Sequence, residues 1–124
     1  MADNKQYITQ MQENGTVMIA EDVISTIVST AISEVEGVIG VSAKPGAEIT
    51  ELLGRKNWSK GIRITIGQDD EVYVDCNVVL SYGHSVVGVA KNVQDAVRSA
   101  LESMTAVKVG AVNVNVCGIT RQQG

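Results

Sequence analysis

The sequence predicts an α+β fold: a two-layer sandwich in which two amphipathic helices cover one face of a mainly antiparallel sheet. Three observations predict it. First, 20 Val and 11 Ile stand against 4 Leu in 124 residues, and branching at Cβ favours pleated, half-buried strands. Second, two stretches carry apolar residues at helical spacing, while several others alternate apolar and polar with period 2. Third, a helix with one apolar stripe must bury it, and a sheet with one apolar face is the matching surface. The predicted order is strand, helix, short strand, strand, strand, helix, strand. A hairpin separates the helices, which resembles a split βαβ arrangement.

Each element has its own warrant. Met1 to Asn14 is rich in Gln, Asn and Asp and reads as a flexible arm. Residues 15–120 read as a single α+β domain and 121–124 as a tail. Thr16 to Ala20 is a short strand with Val17 and Ile19 on one face. Val23, Ile24, Ile27, Val28, Ala31, Ile32 and Val35 then form one broad helical face. Glu21 and Asp22 sit favourably at its positive end, and Gly37 terminates it. Val38 to Val41 is a short apolar run, either a strand or the helix exit. Lys44-Pro45-Gly46 marks a turn, and Ile49, Leu52 and Leu53 suit a short helix. Ile62, Ile64 and Ile66 alternate, Gln68-Asp69-Asp70 turns, and Val72 to Tyr82 alternates again as the second arm of a hairpin. Ser85 is an N-cap candidate for a helix with its stripe at Val86, Val89, Ala90, Val93, Val97, Ala100, Leu101 and Met104. Val107 to Val116 alternates as the last strand, with a register shift at Gly110 and Ala111.

Composition excludes several functions. The net charge is −4, and phosphate backbones repel such a surface on average. Four aromatic residues are too few for a base-stacking platform. Two Cys and one His cannot close a structural zinc site. The longest charge-free window, Cys76 to Ala90, is too short and too polar to cross a bilayer. The expectation is a cytoplasmic protein with no membrane span of its own and no bound cofactor.

Candidate chemistry reduces to a few patterns. Cys76 and His84 are the only pairing for nucleophilic catalysis, but Cys76 falls on the apolar face of its strand, where a thiol packs as a small hydrophobe. Gly83 to Gly88 has the outer spacing of a phosphate loop, yet Val89-Ala90 follows where Lys and Ser or Thr are required. Gly37-Val38-Ile39-Gly40 has the GxxG spacing of a KH loop, with apolar residues in the gap. No catalytic or metal site is assigned, and the chain reads as a non-enzyme. The strongest remaining feature is Gly54 to Arg63. Arg55, Lys56, Lys60 and Arg63 place four of the ten basic residues there without an acid. Trp58, the sole Trp, sits among them. An amphipathic ring beside cations suits an interface, so Arg55, Lys56, Trp58, Lys60 and Arg63 are the candidate partner-binding residues. The alternative use of Arg55–Arg63, with Gly37–Gly40, is a KH-like RNA-binding module.

One ordered set of residues carries a resemblance. Gly15-Thr16-Val17 to Ile19-Ala20, Val23-Ile24 and Glu34-Val35-Glu36-Gly37-Val38 open it. Lys60-Gly61-Ile62, Tyr82-Gly83, Val89-Ala90, Asn92-Val93-Gln94 and Val97 continue it. Met104-Thr105, Val112-Asn113-Val114 and Gly118-Ile119 close it. The set resembles the alkaline shock, envelope stress response family of Gram-positive bacteria from about Gly15 to Ile119. It departs at Ala106, where the family usually has Gly. The resemblance implies a small cytoplasmic protein with no known catalysis, able to sit beneath the membrane through a separate membrane-embedded protein. The residues themselves add the expectation of a scaffold that forms homo-oligomers, because the last strand, Val112 to Val116, has no charged or proline guard if it lies at an edge.

Overall fold

The computed structural model describes residues 7–41 and 61–121. The chain opens with a hairpin, β1 (Tyr7–Gln12) and β2 (Gly15–Ala20). It continues through α1 (Glu21–Ser33), β3 (Val38–Val41), β4 (Ile62–Ile66), β5 (Glu71–Ser81), α2 (Val86–Thr105) and β6 (Lys108–Thr120). This is the expected α+β composition, with two helices among the described residues; the short helix expected at Ile49, Leu52 and Leu53 lies outside them. One strand is added at the front. Residues 7–12, within the stretch expected to be a flexible arm, pair with β2 from Tyr7↔Ala20 to Gln12↔Gly15. Ile8 anchors this strand at 1% exposure, and the Gln10 side chain donates to the Thr105 carbonyl at 2.7 Å.

The second sheet is organised by β5. Asn77 N–H donates to the Gly61 carbonyl on one side, so the odd-numbered residues of β5 direct their backbone groups to β3 and β4. The even-numbered ones direct theirs to β6. β4 and β3 lie end to end along one side of β5, both antiparallel to it. The chain leaves at Val41, opposite Val78, and re-enters at Gly61, beside Asn77. β6 covers the other side in parallel, from Glu71↔Lys108 to Ser81↔Thr120. Parallel pairing follows from α2. A 20-residue helix spans about 30 Å, enough to return the chain to the start of β5. Two bulges interrupt the ladder. Gly110, where a register shift was expected, is the extra residue of the first, and Cys117 is that of the second.

Both helices pack on one face of this sheet. Val72, Val74, Cys76, Val78 and Leu80 project to that side and are at most 1% exposed. α1 meets them with Ile24, Ile27, Val28, Ala31 and Ile32, and α2 with Val89, Val93, Val97 and Leu101. Burying each such side chain stabilises by roughly 1.5–3 kcal/mol, which offsets the modest helix propensity of the Ser- and Thr-rich α1. Ser85 caps α2, its Oγ accepting from Gly88 N–H at 3.0 Å. At the other end Ala106 adopts the left-handed conformation, φ 60°, and its N–H donates to the Glu102 carbonyl. Gly37 to Gly40 is not an exposed nucleotide-clamping loop. Val38–Val41 is strand β3, and Gly40 pairs with Val79.

Candidate functional site

Arg55, Lys56, Trp58 and Lys60 lie outside the described residues. Arg63 is described. It sits exposed on β4, on the side of the sheet away from the helices, and its cross-strand neighbour is Asp75. Asp75 in turn accepts from the Asn113 side chain at 3.0 Å. Arg63, Asp75 and Asn113 therefore form one rank across β4, β5 and β6. The next rank is Asn77 and Asn115, joined at 3.0 Å through the Asn77 Oδ1. Asn77 is fully buried, and this bond satisfies an acceptor that would otherwise be costly. Beside these ranks the Tyr73 ring lies against Gly110, and its hydroxyl donates to Glu71 at 2.9 Å. Sequence periodicity placed Asn113 and Asn115 on one face. Their partners follow only from the parallel register.

Cys76 behaves as its position dictates. It is fully buried among Val residues, and burial, reinforced by the Asp75 charge, pushes its thiol up to about 12. A thiol held neutral is a poor nucleophile. His84 lies exposed in the loop before α2, its ring close to Gly37. Both cysteines are free thiols.

Two surface features stand out among the described residues. A groove of about 500 Å3 runs between the helices, lined by Ile27, Ala31, Val35, Ala96, Ala100 and Met104, with Glu34 as its charged member. The second surface is the outer edge of β6. Since the even residues of β5 bond to Asn113 and Asn115, Val112, Val114 and Val116 direct their backbone N–H and C=O away from β5. Among the described residues no strand pairs with that edge. Its first part is guarded by α2: Arg98 donates to the Val109 carbonyl at 3.1 Å and Gln94 to the Val112 carbonyl at 3.0 Å. Beyond Val112 the strand carries no charge and no proline until Arg121, the residue types that ordinarily blunt an edge. On the opposite side of the sheet β3 and β4 are only four and five residues long, and β4 carries Arg63. No helix among the described residues is long and apolar enough to cross a membrane.

Comparison with known proteins is consistent with the residue pattern. "Uncharacterized protein YqhY" of Bacillus subtilis is 33% identical over 105 residues, covering 85% of this chain and 77% of that one. A "stress response regulator gls24 homolog" of Streptococcus pyogenes is 28% identical over 111 residues, covering 88% of this chain and 62% of that one. A solved "MamM CTD" chain superimposes with a TM-score of 0.47 at 15% identity over 83% of this chain and 96% of that one, a likeness too loose to bear on function. The family-wide sequence pattern that matches extends over residues 9–121, from β1 to the end of the described chain. The chain belongs to the alkaline shock protein 23 family, whose function is cell envelope-related.

Proposed function

We propose that this chain is a non-catalytic scaffold of the cell envelope stress response, acting in the cytoplasm by self-association and by recruitment to a membrane-embedded protein. The observation that carries this reading is the neutral stretch of β6 beyond Val112, whose outer edge has no strand partner among the described residues. Backbone groups on such an edge gain by pairing with another strand. The raised pKa and full burial of Cys76 support the non-catalytic part, because the thiol considered for a dyad with His84 is held neutral inside the core.

Recruitment is assigned to Arg55, Lys56, Trp58, Lys60 and Arg63. The ten residues from Gly54 to Arg63 carry +4 in a chain of net −4, and such a local field attracts an acidic segment. The test is affinity capture from membrane and cytosolic fractions with the Lys56→Glu, Lys60→Glu double variant. Capture of a membrane protein by the parent chain, lost in the variant and weakened by salt, is the expected result. Equal capture by both chains overturns the assignment.

A further inference from the structure

The geometry points to a two-fold pairing of β6 with β6 of a second copy of this chain, antiparallel and centred on Val114. This inference rests on the self-association reading and supplies its surface.

The window available for pairing is bounded by the fold. Toward the start of β6, the Gly110 bulge breaks the regular strand and Arg98 occupies the Val109 carbonyl. Toward its end, the Cys117 bulge breaks the strand again. Between the bulges the outward-directed groups belong to Val112, Val114 and Val116. A carbonyl has two lone pairs, so the Gln94 bond to Val112 leaves room for a second donor.

The sequence of this window selects the partner. Val112-Asn113-Val114-Asn115-Val116 reads the same in both directions. A two-fold axis at Val114 therefore sets Val112 opposite the second copy's Val116, Val114 opposite itself, and Asn113 opposite Asn115. An isologous interface requires this self-match. On the helix side, Val114 and Val116 are only half-buried against the core, and a second strand covers what remains exposed. On the other side, Asn113 and Asn115 each spend one side-chain N–H, on Asp75 and Asn77. Each keeps an N–H and an oxygen for the amide opposite. No charge stands in the window, so the two copies meet without like-charge repulsion.

Amide hydrogen exchange followed by NMR, with sedimentation at the same concentrations, tests the pairing. The N–H groups of Val112, Val114 and Val116 point away from β5 and are expected to exchange fast in dilute solution. They should slow by about ten-fold or more as the chain associates by mass action. The N–H groups of Asn113 and Asn115, already in the β5–β6 ladder, should be protected throughout. Val114→Pro removes an outward N–H and adds bulk to the edge without touching that ladder, and it should hold the chain as a monomer. Association with the three valine amides unchanged, or undiminished in a folded Val114→Pro chain, overturns this pairing and leaves the scaffold reading standing. A parent chain that stays monomeric at every concentration overturns both.

Discussion

Ala106 offers a perturbation with a sign fixed by backbone geometry. It terminates α2 at φ 60°, ψ 20°, a conformation in which an L-residue's Cβ crowds its own carbonyl. The strain is roughly 1–2 kcal/mol, and glycine escapes it. Ala106→Gly relieves that strain but frees the unfolded chain, which returns roughly 0.4–1 kcal/mol. Ala106 is exposed, so the lost methyl forfeits little packing, and the bond from its N–H to the Glu102 carbonyl stays in place. The balance is a gain of about 0.5–1 kcal/mol, or a Tm higher by ~2–4 °C at this chain length. Urea unfolding should show a higher midpoint with an unchanged slope. Ala106→Val, branched at Cβ, should move the midpoint the other way. A glycine variant equal to or less stable than the parent refutes the reasoning, since the left-handed cap would then carry no strain worth relieving.

The cysteines give a chemical readout. A thiol reagent at pH 8 should modify half-buried Cys117 and leave Cys76 untouched until the chain unfolds. The raised Cys76 pKa also has a pH consequence. Below about 9 both folded and unfolded thiols are neutral, but between about 9 and about 12 only the unfolded one ionises, so stability falls across that window. Cys76→Ala should show a shallower alkaline decline in chemical denaturation, and parallel declines would count against the assignment. Gly37→Ala meets two penalties together. Its φ of +98° disfavours any side chain, and the new Cβ would lie 2.9 Å from Val89 Cγ2 and 3.3 Å from the His84 ring. A loss of about 2–4 kcal/mol is expected in denaturant titration, and a loss under ~0.5 kcal/mol contradicts the tight packing.

The elements that were legible in the sequence are those whose signals are redundant. Helix α2 has a regular stripe, a Ser85 cap and a polar opposite face, and it forms at the expected place. The hairpin of β4 and β5 has period-2 alternation on both arms and a turn between them, and Ile62, Ile64 and Ile66 face the core as read. Strand β1 escaped because it buries one side chain, Ile8, too little apolar area to register as a pattern. The turn that joins it to β2 is Glu13-Asn14, between the paired Gln12 and Gly15, and that dipeptide is not one of the strong hairpin signatures. The side of the sheet away from the helices was half legible. Alternation put Asn113 and Asn115 on one face. Only the parallel register of β6, set by the return of α2, shows that they meet Asp75 and Asn77. The directions of the edge groups needed one further fact, the bond from Asn77 N–H to Gly61, which no periodicity encodes.

The placement of β3 and β4 on one side of β5 separates two properties that usually evolve together. The chain departs at Val41 and returns at Gly61, one register step away along β5. The sheet therefore meets a single edge strand with a nick in it, whatever residues 42–60 contain. Adding or removing residues there changes the loop-closure entropy only logarithmically, by about 0.6 kcal/mol per doubling of length. Substitutions in the insert leave the pairing of Val38 with Leu80 and of Ile62 with Cys76 where it is. On the recruitment proposed for Arg55 to Lys60, the nick is the point at which recognition could be rewritten while the paired strands on either side of it are held constant. Exchanging residues 42–60 between family members should carry partner choice with the segment and leave the unfolding midpoint with the recipient.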